Sequence, residues 1–66
     1  MSDKVEFLLR KANEEQDHQE VVRIASENRA DLNKNSLNLS IRSAYSLGDF
    51  ETALDLSIEA SESYSD

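Results

Sequence analysis

Asp17-His18-Gln19-Glu20-Val21-Val22-Arg23-Ile24-Ala25 lies in register with Asp49-Phe50-Glu51-Thr52-Ala53-Leu54-Asp55-Leu56-Ser57, thirty-two residues further on. Each block opens with Asp, and small or apolar residues coincide at Val21/Ala53, Val22/Leu54 and Ile24/Leu56. The residues ahead of each block match at the same shift: Val5 with Leu37, Phe7 with Leu39, Leu9 with Ile41, Arg10 with Arg42, Ala12 with Ala44. A repeat of this length is the mark of stacked helix-turn-helix units, each burying one face against the next. The expected fold is all-α: a single domain over residues 1–66, with repeat one at about 3–34 and repeat two at about 35–66.

Four helices follow from the pattern. Ser2 or Asp3 caps the first, with Glu6 completing a capping-box variant. Val5, Leu8, Leu9 and Ala12 give it one buried face at i, i+3, i+4, i+7. Asn13 to Gln16 form a polar turn, and Asp17 with Glu20 repeats the capping arrangement. Val21, Val22, Ile24 and Ala25 supply the apolar side of helix two. Arg29 to Asn35 connect the copies, with Leu32 tucked beneath. Asn33 or Asn35 starts helix three, which is expected to bury Leu37, Ile41, Ala44 and Tyr45. Helix four runs from Phe50 to about Tyr64. Phe50, Leu54, Ser57 and Tyr64 are expected to face the core, while Leu56 and Ile58 point partly elsewhere.

The second copy adds a resemblance. Ala44-Tyr45-Ser46-Leu47-Gly48-Asp49-Phe50-Glu51-Thr52-Ala53-Leu54 resembles the turn of a tetratricopeptide repeat, a Gly-Asp-aromatic-Glu-x-Ala segment between two helices. Gly48 can end a helix at positive φ without a Cβ clash, and Asp49 can cap the next helix. Ala53 is small where the two helices of a repeat cross. The likeness is good over 35–66 and weaker over 3–34, where Gln16 replaces the glycine and His18 the aromatic. Both copies lack the family's early tryptophan and its closing proline. The resemblance implies a non-catalytic interaction or scaffold module that receives a peptide or helix in a groove lined by the first helix of each repeat. Arg10 and Arg42 would stack along that groove. Asn38 lies one turn before Arg42 and Ser46 one turn after, and Asn13 matches Tyr45. Guanidinium, amide and hydroxyl groups suit an extended peptide's carboxylates and carbonyls, so an acidic or C-terminal segment is the expected ligand. The bland alternative is a solvated face on which Glu6 pairs with Arg10.

Composition limits the other readings. The chain has no Cys, no Pro and one Gly, which excludes disulfides and thiolate metal sites and fits a reducing, cytoplasmic setting. No apolar run reaches the roughly twenty residues of a membrane span. His18, the one histidine, lacks a ligand set of defined geometry, so no metal or other cofactor is expected; it is read as packing at the entrance of helix two. No nucleophile–base pairing is evident among the serines, and no enzymatic activity is expected. Residues 1–42 hold eight acids against seven bases; residues 43–66 hold six acids and no base. With no basic patch to release counterions, no nucleic-acid partner is expected. Glu51, Asp55 and Glu59 fall at i, i+4, i+8, either a solvated face or a docking face for something basic. Two repeats without a capping helix leave two further possibilities open: self-association, or a helical appendage of a larger enzyme or assembly.

Overall fold

The computed structural model describes residues 2–64. Four α-helices follow one another: α1 (Ser2–Glu14), α2 (His18–Glu27), α3 (Lys34–Leu47) and α4 (Phe50–Tyr64), with a 3-10 turn at Arg29–Asp31. Among the described residues there is no strand. α1 packs on α2, α2 on α3 and α3 on α4, and α1 also touches α3. The fold is therefore all-α, two helical hairpins laid side by side. α1 and α4 are its outer elements.

The hairpin turns are built alike. In the first, the Gln16 N–H donates to Asn13 O at 2.9 Å and the Asp17 N–H to Ala12 O at 2.9 Å. In the second, the Gly48 N–H donates to Tyr45 O at 3.0 Å and the Asp49 N–H to Ala44 O at 2.9 Å. The last carbonyls of the outgoing helix are thus satisfied by a left-handed residue and its successor. Gly48 has φ 78°, and Gln16, a residue with a Cβ, has φ 57°. Each following Asp then caps the next helix. Asp17 Oδ1 accepts from the Glu20 N–H and Asp49 Oδ1 from the Thr52 N–H, both at 3.3 Å.

The start of α3 is set by Asn33, whose side-chain oxygen accepts from the Ser36 N–H at 2.8 Å. Upstream, Asn28 ends α2, its side-chain amide donating to Ile24 O at 2.8 Å. Leu32 is buried beneath the connection. The core is one cluster: Val5, Leu9 and Ala12 from α1, Val21, Ile24 and Ala25 from α2, then Leu32, Leu37 and Leu56. Ala44 and Ala53 are fully buried beyond it, where small side chains let α3 and α4 approach.

Three assignments change. In α4 the buried stripe is Ala53 and Leu56, with Leu56 1 % exposed, while Phe50 and Leu54 are 63 % and 61 % exposed. Leu56 and Ala53 lie three apart on one face, and Phe50, Leu54 and Ile58 occupy the next face round. Tyr45, expected in the core of α3, is exposed, its ring 5.9 Å from that of Phe50 across the turn. Leu8 is also exposed; the buried face of α1 is the narrower set Val5, Leu9 and Ala12. The cap at Ser2 or Asp3 and the packing of Tyr64 lie outside the described side chains.

Candidate functional site

α1 and α3 lie side by side, and a groove of about 410 Å³ opens along them. Its lining includes Arg10 and Asn13 from α1, and Asn38 and Arg42 from α3, together with Glu6 and Asn35. These side chains share one groove because the thirty-two-residue register sets corresponding turns of two neighbouring helices against each other. Leu9 and Leu39 form its apolar base. The structure thus brings together four of the six residues singled out in the sequence. Tyr45 and Ser46 are exposed but take no part in the lining. Tyr45 is turned toward Phe50 instead.

Electrostatically the two arginines differ. Arg10 makes an ion pair with Glu6 at 2.8 Å, one helical turn away. Arg42 makes no ion pair among the described residues. Glu6 also accepts from the Asn33 side-chain amide at 2.8 Å. That hydrogen bond and the neighbouring Arg10 hold the Glu6 carboxyl below the usual carboxylate range, against a smaller opposing effect of burial. Asn33 therefore caps α3 with its oxygen and holds an α1 carboxylate with its nitrogen. The buried Ser36 hydroxyl in the groove wall has no hydrogen-bond partner among the described residues. The sequence marks Asn33 as a start of α3, as observed, but not its contact with Glu6, and Ser36 does not stand out at all, because these features depend on which helices become neighbours.

The acidic side of α4 meets a base from within the chain. The Arg29 guanidinium, in the connection between hairpins, pairs with Asp55 at 3.1 Å and also with Glu59. Its proton is held more firmly than usual, first by the hydrogen bond to Glu59. Glu51, the third acid of that row, makes no ion pair among the described residues. On α2, Arg23 bridges Glu20 at 2.6 Å and Glu27 at 3.0 Å, an exposed arrangement worth little to stability.

His18 sits at the entrance of α2, partly buried, with Nδ1 3.1 Å from Ser43 Oγ of α3. It joins the two hairpins. Among the described residues no group of three or more His, Asp or Glu side chains is arranged to hold a metal ion. Among the described residues no helix is long and apolar enough to cross a membrane. Comparison of the chain with family models, with curated proteins and with solved structures finds no match.

Proposed function

We propose that this chain is a protein-interaction module of tetratricopeptide type, receiving an extended acidic peptide in the groove between α1 and α3. The observation that carries this reading is Arg42: an arginine with no ion pair among the described residues, in a groove shared with Asn13, Asn35 and Asn38. A guanidinium fork flanked by amides offers a carboxylate two parallel donors, and offers a peptide backbone both donors and acceptors. Arg10 contributes less, since Glu6 already occupies it. The Gly48-Asp49-Phe50-Glu51 turn supports the family reading. The module acts by binding and carries out no chemistry, and its cysteine-free composition suits the cytoplasm.

Fluorescence anisotropy with labelled acidic peptides, each made with a free and with an amidated C-terminus, tests the reading. Arg42→Ala should weaken the best-binding free-acid peptide about tenfold and leave the thermal midpoint nearly unchanged. If the substitution has no effect on any peptide that binds, the groove is not the site.

A further inference from the structure

The joint between the two hairpins has two halves, and each has a counterpart on an outer helix. α3 buries a face that α1 does not: Ser36, Ser40 and Ser43 are each at most 1 % exposed. Through His18 and Ser43 this face meets α2. Its counterparts on α1, thirty-two residues earlier, are Lys4, Leu8 and Lys11, and all three are exposed. The difference has a simple origin. α3 has a hairpin in front of it, and α1 has none among the described residues.

The other half of the joint shows the same asymmetry. His18 and Val22 of α2 are partly buried. Their counterparts on α4 are Phe50 and Leu54, both more than half exposed, and Ile58 continues the stripe one turn on. An open hollow of about 420 Å³ runs along this stripe, lined by Glu51, Thr52, Leu54, Asp55 and Ile58. Among the described residues each outer helix therefore carries one exposed half of the joint that α2 and α3 form within the chain.

Charge selects the occupant. The α4 stripe is flanked by three acids against one base: Asp55 and Glu59 share Arg29, and Glu51 makes no ion pair among the described residues. The α1 face carries Lys4 and Lys11 on either side of Phe7 and Leu8. Lysine stems can lie along an apolar surface while their ammonium groups reach carboxylates beyond it. An α4-to-α4 pairing would set acid against acid.

From these observations we infer that the chain self-associates head to tail. α4 of one copy receives α1 of the next, as α2 receives α3 within a copy. The two surfaces differ, so the contact is heterologous, and a pair leaves one surface of each kind open. Assemblies lengthen with concentration instead of stopping at two.

Sedimentation analysis between about 10 µM and about 1 mM tests this, a range matched to weak association. The wild-type chain should grow in mass past the dimer. Phe7→Asp blocks the α1 surface and Leu54→Asp the α4 surface; both residues are more than 60 % exposed, so both variants should keep their helical circular dichroism. Each variant alone should remain monomeric, and an equimolar mixture should form a dimer and stop. Charge gives a second readout: Lys4→Glu with Lys11→Glu should lose assembly, and mixing with Glu51→Lys should restore it. A wild-type chain that stays monomeric throughout overturns the inference. So does a Phe7→Asp variant that dimerises by itself, the sign of a symmetric α4 contact, or an equimolar mixture that stays monomeric.

Discussion

Gln16 and Gly48, thirty-two residues apart, hold the same left-handed backbone conformation, with φ of 57° and 78°. Around them the two turns share their hydrogen bonds one for one. Only one of these residues is free of a Cβ, so the first turn carries a steric cost that the second avoids.

Gln16→Gly should therefore stabilise the fold by about 0.5–1 kcal/mol, the left-handed cost less glycine's greater entropy when unfolded. At Gly48 a Cβ would meet nothing within 4 Å, so the space is open and the backbone alone objects. Gly48→Ala should cost about 1–2 kcal/mol, and the stiffer Gly48→Val more. Urea midpoints read both; a Gln16→Gly variant less stable than wild type would contradict the shared-turn account.

Ala53 is fully buried between α3 and α4. Ala53→Leu would force extra methylenes into that crossing, at an expected cost of about 1–3 kcal/mol. Leu54→Ala, one residue on but facing outward, should change the midpoint by less than about 0.5 kcal/mol. Comparable losses for the two would mean that the buried face of α4 is drawn in the wrong place.

Asn33→Ala removes the cap of α3 and the amide that holds Glu6, so it should cost about 1–2 kcal/mol near neutral pH. The pH dependence has a definite sign. Glu6 has a lower pKa in the folded chain than its ordinary 4.5, so its stabilising effect is fully present above that value. It is lost as pH falls through the lowered folded-state pKa. Glu6→Gln should flatten this acid limb of a stability profile measured from pH 7 downward, and an unchanged limb would remove Glu6 from the explanation.

Arg29→Ala should destabilise by up to about 1 kcal/mol, because its ion pairs are partly exposed. Its clearer effect should be local. Amide exchange should quicken around Asp55 and Glu59, and added salt should reproduce part of that change in the wild type. Uniform exchange across α4 would show that the pairs do not anchor the helix.

Helix boundaries and turns were legible because capping residues and apolar period agree at each end. The orientation of α4 was not. Ala53 and Leu56 form one stripe; Phe50, Leu54 and Ile58 form another that is at least as apolar, and periodicity cannot choose between them. The repeat register did hold the answer, since it sets Leu56 against Ile24, and both are buried. In the groove, Arg10, Asn13, Asn38 and Arg42 follow from the same register. Tyr45 lies outside the groove, its ring beside that of Phe50 across the turn. Asn33 was legible as a start of α3, but its hold on Glu6 and the burial of Ser36 were not, as both depend on which helices become neighbours.

Among the described residues the buried core cluster is shared unequally between the hairpins: Val5, Leu9, Ala12, Val21, Ile24 and Ala25 belong to the first, and Leu37 and Leu56 to the helices of the second, with Leu39, Ile41 and Ala60 packed against it. The sequence is duplicated, but the means of standing alone are not. Cut apart at Leu32, the second half would keep its turn, its caps and the small contact at Ala44 and Ala53 but lose the larger side chains of the first hairpin, and its helices should melt into a fluctuating chain. Such a hairpin is a dependent unit, foldable only against a neighbour, so any rearrangement that moved it elsewhere would have to supply a new apolar host.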